Sequence, residues 1–321
     1  MPPIGYDLTQ PEMPPHQFTR RGFALLSGTL ATTSFPVAAA SDRTAAEIVK
    51  EIQEKLGGEW PGTGLDGFKA GDPNTPVRGI ITTAMATLAV LKQAAEANLN
   101  LVLTHEPTFY GRQDGPSAVP SGGRGRGPAG VVASDPVYQA KKDFIEKNGL
   151  VVFRLRDHWA ARPEKDMAAG LAESLGWSRY RLSSETIDGN AAMYEIPAAT
   201  LEDTVTLIRK KLDLRGGLRS VGDPRARVRR VMLHPGLMTV ATMWKYFGQT
   251  DMLVAGEVRE WECVHYAADI NTAGGKRGLV TIGRVASEEP GMNACAKWVA
   301  STIKGVPAGW IGAGDPYWRA V

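Results

Sequence analysis

The feature that most constrains the fold of this chain is a regular alternation of short apolar segments with amphipathic segments from residue 41 to residue 303. Strand-like apolar runs lie at 77–83, 101–103, 150–155, 192–196, 228–233, 251–256 and 279–283. Helix-like periodicity lies between them, at 44–56, 87–98, 135–149, 163–176, 201–212, 237–247 and 290–303. This alternation predicts an α/β fold with layered, largely parallel sheets.

We expect the chain to form two lobes, because the alternation repeats on either side of residues 180–190. The first α/β lobe is predicted at 41–185 and the second at 186–321. A stretch rich in glycine, proline, serine and arginine at 111–133 predicts a flexible loop within the first lobe.

The N-terminal segment 1–40 differs in kind from the rest of the chain. Arg20 and Arg21 precede a mildly apolar run that Pro36 interrupts, and three alanines follow at 38–40. This pattern is typical of a twin-arginine signal peptide, with a mature chain that begins near Ser41 in the periplasm or another exported location. The apolar run is too short and too interrupted for stable membrane insertion. A disordered tail is the alternative interpretation.

Composition narrows the possible partners and the redox chemistry. The net charge of +3 is mild, and no block of lysine and arginine with interleaved aromatic residues occurs, so we expect no nucleic-acid partner. The two cysteines, Cys263 and Cys295, are too few for a cysteine-rich zinc site. They could form a disulfide outside the cytoplasm, but two buried free thiols are the simpler expectation, and the sequence does not decide between the two.

Polar side chains follow several of the predicted strands at the point where each strand ends. These residues are His105 and Glu106, Asp157 and His158, Glu257, and Arg284 with Glu288. The carboxyl ends of parallel strands form the binding crevice of open α/β sheets. We therefore expect these side chains to gather at one rim of the molecule.

Their chemistry suggests a metal site. Imidazole nitrogens and carboxylate oxygens suit Zn, Mn, Fe or Ni better than copper(I), and bridging carboxylates would allow two ions to share the site. Each residue also has a plain structural interpretation. A histidine after a strand is often only hydrogen-bonded, Asp157 and His158 could cap a helix, and Glu288 could interact favourably with a helix dipole.

Two segments resemble a known family. The stretch "VRGIITTAMATLAVLKQAAEANLNLVLTHEPTFY" (77–110) is similar to the first signature of the Nif-three-like proteins, which are also described as dinuclear metal centre hexameric or GTP cyclohydrolase 1 type 2-like proteins. "GRVASEEPG" (283–291) resembles the C-terminal motif of that family, and "LVAGEVREWE" (253–262) resembles the segment before it. The resemblance covers most of residues 41–303 and implies a two-lobed fold and a homohexamer.

The resemblance also implies a metal site that this chain has altered. His105 matches the first histidine of a family pair, Glu106 stands in the place of the second, and Glu288 matches a C-terminal glutamate. Arg284 replaces a family histidine, and its guanidinium cannot be a ligand because it stays protonated. Arg284 would repel a second ion, or replace its charge and bind a substrate anion.

We therefore expect one divalent ion, although the residue set leaves one or two per chain open. The predicted ligands are His105, Glu106, Asp157, His158 and Glu288.

Three functions are compatible with such a site. A metal-dependent hydrolase would act on a small polar or anionic substrate, with Glu106 or Glu257 as general base and Arg284 stabilising negative charge. The cyclohydrolase label comes from the family name alone. The alternatives are a non-catalytic protein that binds or delivers a metal ion, and an oligomeric scaffold with a vestigial cleft.

Overall fold

A computed structural model describes residues 41–60, 65–111, 114, 133–164, 166–182, 187 and 189–317, which belong to one compact unit. The predicted signal peptide and most of the predicted loop at 111–133 lie outside the described residues. Among the helices that the structure describes, none has the length and apolar character needed to cross a bilayer.

Ten strands form two five-stranded sheets in the described part of the chain. The strands of the first sheet are β1 (Gly67–Ala70), β2 (Ile80–Thr83), β3 (Leu101–Thr104), β4 (Val151–Arg154) and β10 (Ala308–Trp310). Those of the second sheet are β5 (Ala192–Thr200), β6 (Arg219–Val221), β7 (Arg227–Met238), β8 (Met252–Val258) and β9 (Gly278–Thr281).

Both sheets have a parallel centre. The first has the order β1-β4-β3-β2-β10, in which only β1 is antiparallel to its neighbour. The second has the order β5-β7-β8-β9-β6, with antiparallel pairs at both edges. The predicted α/β fold with layered, largely parallel sheets is confirmed.

Helices cover the sheets. They are α1 (Ala45–Leu56), α2 (Leu88–Glu96), α3 (Pro136–Lys147), α4 (Asp157–Ala160), α5 (Asp166–Leu175), α6 (Leu201–Lys211), α7 (Val240–Tyr246), α8 (Glu260–Thr272) and α9 (Arg284–Thr302). Short 3₁₀ turns lie at Ser178–Tyr180 and Phe247–Gln249. The predicted capping box at the start of α1 is present, since Thr44 and Glu47 bond each other's backbone amides.

Three apolar clusters hold the layers together. The first joins the strands of the first sheet to α1 and α9, and the other two lie on opposite faces of the second sheet. Cys295 is buried in the first cluster and Cys263 in the third, and neither thiol is in a disulfide. Helix α9 contacts β2 and β10 of the first sheet as well as β7 and β8 of the second, so it links the two sheets.

The expectation that 279–283 is the last strand is wrong. Strand β10 follows α9 and pairs in parallel with β2, so the end of the chain returns to the first sheet. The division near residue 185 stays a prediction; the other strands of the two sheets do lie on either side of it.

Candidate metal centre

The end of β3 holds His105 and Glu106 on a fixed backbone. The amide of His105 donates to the Thr83 carbonyl (3.2 Å), and the amide of Glu106 donates to the Ala84 carbonyl (2.8 Å). The buried hydroxyl of Thr104 donates to the Glu106 carbonyl (3.1 Å) and accepts from the Ala86 amide (3.1 Å). These bonds extend the β2–β3 pairing past the strand ends, so neighbouring side chains can turn toward one site.

Helix α9 brings Glu288 to the same place. The hydroxyl of Ser287 donates to the Arg284 carbonyl (2.6 Å) and accepts from the Gly236 amide (2.9 Å), which joins the first turns of α9 to β7. Gly236 has a φ of +80°, and a Cβ atom there would lie 2.8 Å from Oε1 of Glu288. Only glycine lets the β7 backbone approach this carboxylate so closely.

His105, Glu106 and Glu288 form a buried group with ligand geometry. Nδ1 of His105 lies 3.3 Å from Oε2 of Glu288 and 3.7 Å from Oε1 of Glu106, and one ligand atom from each residue lies within 4.8 Å of the others. The three residues are 0%, 7% and 1% exposed. In the described part of the chain, both ring nitrogens of His105 and Oε2 of Glu288 make no hydrogen bond.

The spacing fits a metal ion. Ligand bonds of about 2.1 Å at tetrahedral angles separate the ligand atoms by roughly 3.4 Å, close to the 3.3 and 3.7 Å observed here. Unpaired polar atoms in a protein interior are costly and need a partner. The donor set therefore suits a divalent cation.

The charges around the centre favour an ionised Glu106 and one proton shared between His105 and Glu288. Burial opposes a charged Glu106, but the His105 ring and the Arg284 guanidinium outweigh it and lower the pKa of this carboxyl. Burial raises the pKa of the Glu288 carboxyl. Burial also opposes protonation of His105, but Glu288 and Glu106 outweigh it and raise the pKa of the imidazole. His105 and Glu288 thus compete for one proton, which a bound cation would displace.

Arg284 lies over the carboxylates, where its guanidinium can replace the charge of a second metal ion, as the sequence predicts. Its Nη2 donates to Glu106 (2.9 Å), its Nη1 donates to Glu257 (3.0 Å), and its Nε lies 3.7 Å from Glu288. The side chains of Arg284 and Glu257 are 25% and 47% exposed. The three residues predicted to act in catalysis are thus brought together, with Glu257 and Arg284 at the mouth of the centre and Glu106 buried beneath them.

Two further arginines support this arrangement, and neither was among the predicted site residues. Nε of Arg156 lies 3.6 Å from Oε1 of Glu106. The buried Arg154 donates from Nε to the carbonyl of His105 (3.1 Å). Both arginines reach the centre because β4 lies beside β3. The periodicity of the strands alone does not predict that pairing.

The structure gives Asp157 and His158 other partners. Nδ1 of His158 lies 2.7 Å from Asp66, its Nε2 lies 2.9 Å from the Glu59 carbonyl, and its ring stacks on Trp60 at 3.4 Å between centroids. Asp157 is paired with Arg156 (3.2 Å). Neither joins the buried group, and the ligand roles predicted for them stay untested.

Asp66 holds this neighbouring segment. Its carboxylate accepts from the backbone amides of Arg156 (2.6 Å), Asp157 (3.0 Å) and His158 (3.0 Å), and thereby fixes the start of α4. Burial opposes the charge of Asp66, but the bonds from His158 and its neighbours lower the pKa of the carboxyl. Asp66 is distant in sequence from all three partners, so no local pattern points to it.

Comparisons with known proteins identify the fold of this chain. No family model matches the sequence, and no curated protein is significantly similar to it. Among solved structures, the hypothetical protein SA1388 of Staphylococcus aureus aligns with a TM-score of 0.64 at 16% identity, over 87% of this chain and 100% of that chain. A Bacillus cereus protein related to NIF3 aligns with a TM-score of 0.63 at 14% identity, over 88% of this chain and 100% of that one. Reduced HcgD from Methanocaldococcus jannaschii aligns with a TM-score of 0.55 at 15% identity, over 85% of this chain and 99% of that one.

These observations define an α/β protein with a buried histidine–glutamate–glutamate group that could hold a metal ion. More particularly, the fold of the chain is that of the Nif-three-like proteins. The resemblance found in the sequence is therefore confirmed at the level of the fold.

Proposed function

We propose that this protein binds one divalent metal ion through His105, Glu106 and Glu288. The observation that carries the proposal is a fully buried imidazole whose ring nitrogens make no hydrogen bond within the described structure, and whose Nδ1 lies 3.3 Å from Glu288 and 3.7 Å from Glu106, both buried carboxylates. A buried polar group without a partner is unfavourable by about 1–3 kcal/mol. Coordination would give a partner to Nδ1 of His105 and to Oε2 of Glu288 at once. Zn, Mn, Fe and Ni suit this donor set.

Charge balance supports one ion and not two. The carboxylates of Glu106, Glu257 and Glu288 carry three negative charges, and Arg284 neutralises one of them. Arg156 also lies 3.6 Å from Glu106, but Asp157, at 3.2 Å, balances its charge. One divalent cation balances the remaining two charges when His105 is neutral. A second divalent ion would meet an uncompensated positive field, with Arg284 already in contact with the carboxylates that would hold it.

The finer proposal is a metal-dependent hydrolase for a small polar or anionic substrate. The chemistry that a divalent ion supplies in such a site is Lewis-acid activation of water or of a substrate oxygen. Glu257 is the half-exposed carboxylate at the mouth and could hold a proton there, while Arg284 would orient negative charge on the substrate. A protein that only binds or delivers the ion is the alternative, and turnover separates the two.

Metal stoichiometry tests the central proposal. Dialysed wild-type protein is titrated with Zn²⁺, Mn²⁺, Fe²⁺ or Ni²⁺, and bound metal is measured by elemental analysis. We expect one equivalent in the wild type and none at a comparable concentration in His105→Ala and Glu288→Ala. The matched controls are His265→Ala and Glu260→Ala, which change exposed residues on α8 and should bind like the wild type. Equal binding by all five proteins would refute the proposal.

Turnover tests the finer proposal. Metal-loaded protein is assayed against a panel of chromogenic phosphate and carboxylic esters. Glu257→Gln should keep the ion and lose at least about 100-fold in rate, the lower range for a positioned acid or base. Turnover that persists in His105→Ala would show that the activity does not depend on this centre.

Export by a twin-arginine signal and assembly into a homohexamer also belong to the proposal, from the sequence pattern and the family resemblance respectively. Cell fractionation of the tagged protein, with Arg20 and Arg21 replaced by lysine as the control, tests export. Native mass spectrometry tests assembly, and a species of six chains is expected.

A further inference from the structure

Glu289, the residue after Glu288, makes two hydrogen bonds, both to donors in the segment 310–313. Its Oε2 accepts from the indole nitrogen of Trp310 (2.8 Å), and its Oε1 accepts from the amide of Ala313 (2.6 Å). The backbone amide of Ala84 also interacts favourably with the charged carboxylate of Glu289. These groups come from β10, from the segment that follows β10, and from the end of β2.

Ala84 lies between Glu289 and the second candidate carboxylate, Glu106. The carbonyl of Ala84 accepts from the amide of Glu106 at 2.8 Å. The amide of Ala84 thus faces Glu289, and its carbonyl bonds the backbone of Glu106. Glu289 adjoins Glu288 along α9, and Ala84 lies between it and the backbone of Glu106.

The segment after β10 is fixed on the same side. The amide of Ile311 donates to the Thr82 carbonyl (3.1 Å), which continues the pairing of β10 with β2. Gly312 passes over the Trp310 ring, since a Cβ atom there would lie 2.9 Å from Cζ2. Trp310 and the segment 311–313 therefore contact the end of β2, the strand that pairs with β3 before Glu106, and the turn of α9 that carries Glu288.

We propose that Glu289 is a positioning residue that, with Trp310 and the segment 311–313, fixes the backbone carrying Glu106 and Glu288 in the geometry needed for metal binding. The inference rests on the metal-binding function proposed above. Partners that hydrogen-bond metal ligands typically contribute 10–100-fold to metal affinity. Glu289 acts one step further out, through the backbone, so the lower end of this range applies. The segment from β10 to residue 313 is thus a support of the centre.

The experiment compares Glu289→Ala and Trp310→Phe with the matched controls Glu260→Ala and Trp261→Phe, all in the full chain. Glu260 and Trp261 lie on the exposed first turn of α8. Two readouts are used. Backbone hydrogen exchange is measured without metal at residues 84 and 106, with α6 as the internal reference. Affinity for Co²⁺ and the visible absorption spectrum of the Co²⁺ complex report on ligand geometry.

We expect exchange at residues 84 and 106 to rise at least about 10-fold in Glu289→Ala, with α6 unchanged. We also expect Co²⁺ affinity to fall about 10-fold, the lower end for such residues, with an altered visible spectrum. Trp310→Phe removes one of the two hydrogen-bond donors, so it should change both readouts in the same direction by a smaller factor. It also decides the question if Glu289→Ala does not fold.

Unchanged exchange at residues 84 and 106 in the folded variants would overturn the inference, whether or not metal binds. Altered exchange with unchanged Co²⁺ affinity and spectrum would also overturn it, because Glu289 would then stabilise the fold without positioning the ligands. If the wild type binds no Co²⁺ or other divalent ion, the proposed function fails, and the positioning of ligands fails with it.

Discussion

At the scale of single residues, one guanidinium sets the charge of the centre. Arg284 lies 2.9 Å from Glu106, 3.0 Å from Glu257 and 3.7 Å from Glu288. The same carboxylates would attract a metal ion, so Arg284 and the cation compete for them. The competition limits the centre to one ion in our account and weakens the binding of that ion.

Arg284→Gln should therefore tighten the binding of Zn²⁺ by about 10-fold or more, since one positive charge a few ångströms from the ion opposes it by over 1.4 kcal/mol. The metal-free variant should lose roughly 1–3 kcal/mol of unfolding free energy, because three carboxylates lose their counter-charge. Calorimetric titration and urea unfolding measure the two effects. The control Arg259→Gln breaks an exposed ion pair with Glu262 and should change neither the affinity for Zn²⁺ nor the unfolding free energy. Weaker binding of Zn²⁺ in Arg284→Gln would contradict the competition between Arg284 and the ion.

A buried lysine supports the loop that follows Glu106. The side chain of Lys141 is fully buried, donates to the Thr108 carbonyl and lies over the rings of Phe109 and Tyr110. Burial lowers its pKa to about 8, despite the opposing charge of Asp114. The fold therefore disfavours the protonated amine.

The sign of the pH effect follows from this lowered pKa. Between about pH 10.5 and pH 8 the unfolded chain takes up a proton that the folded chain does not bind, so stability falls as the pH falls through this window and is constant below it. The loss is on the order of 3 kcal/mol. Urea unfolding at pH 8, 9 and 10 should show this extra slope in the wild type and in the exposed control Lys50→Met, but not in Lys141→Met. Parallel slopes in all three proteins would show that Lys141 is not held in this way.

At the scale of elements, α9 reaches the centre because two glycines let it cross α5 closely. A Cβ atom on Gly170 would lie 2.5 Å from the Pro290 carbonyl oxygen, and one on Gly291 would lie 2.5 Å from Sδ of Met167. Pro290 and Gly291 follow Glu288 and Glu289 directly on α9. The close crossing of α5 and α9 thus fixes the position of α9 along its axis, and with it the position of Glu288 relative to His105.

Gly170→Ala tests this crossing. Alanine in a helix is favoured over glycine by about 1 kcal/mol, but overpacking against the α9 backbone costs about 1–3 kcal/mol or more. We expect a net loss of stability and a weaker affinity for Zn²⁺, because α9 must move away. Gly248→Ala, where no atom lies within 4 Å of the added carbon, is the control. A more stable Gly170→Ala with unchanged affinity would show that the crossing is not tight.

Elements with strong periodicity could be predicted from the sequence, and others could not. The strands at the sheet centres and most helices were predicted because apolar runs and caps define them locally. Helix α8 was missed because it buries only Cys263 and Ala267, which leaves no apolar stripe. Strands β1, β6 and β10 have three or four residues each, and their pairing with distant strands fixes them.

The residues of the candidate metal centre also divide into those that the local sequence predicts and those that depend on distant packing. The sequence pointed to His105, Glu106 and Glu288 because they end a buried strand or match the family motif. The positions of Arg156 and Glu289 depend on how β4, β10 and α9 pack, and single-sequence patterns do not carry that information.

At the scale of the whole molecule, the candidate ion would join distant parts of the chain. His105 and Glu106 follow β3 of the first sheet, whereas Glu288 lies on the helix that follows β9 of the second. A ligand that binds only the folded state stabilises it by about 2.7 kcal/mol at a concentration 100 times its Kd.

Thermal unfolding should therefore respond to metal. At 100 times the Kd of Zn²⁺, we expect the wild-type Tm to rise by roughly 5–10 °C, at 2–4 °C per kcal/mol. His105→Ala should show no rise at the same concentration, and His265→Ala should behave like the wild type. Differential scanning calorimetry measures the shift; an equal rise in His105→Ala would place the stabilising ion elsewhere.

Anomalous diffraction at the zinc absorption edge, from crystals of protein saturated with Zn²⁺, tests the central claim most directly. We predict a single peak in the interior, about 2.0–2.2 Å from a ring nitrogen of His105 and from a carboxylate oxygen of both Glu106 and Glu288. Two peaks among these side chains would contradict the role assigned to Arg284. No peak beside His105 in protein that has bound zinc elsewhere would contradict the metal centre itself.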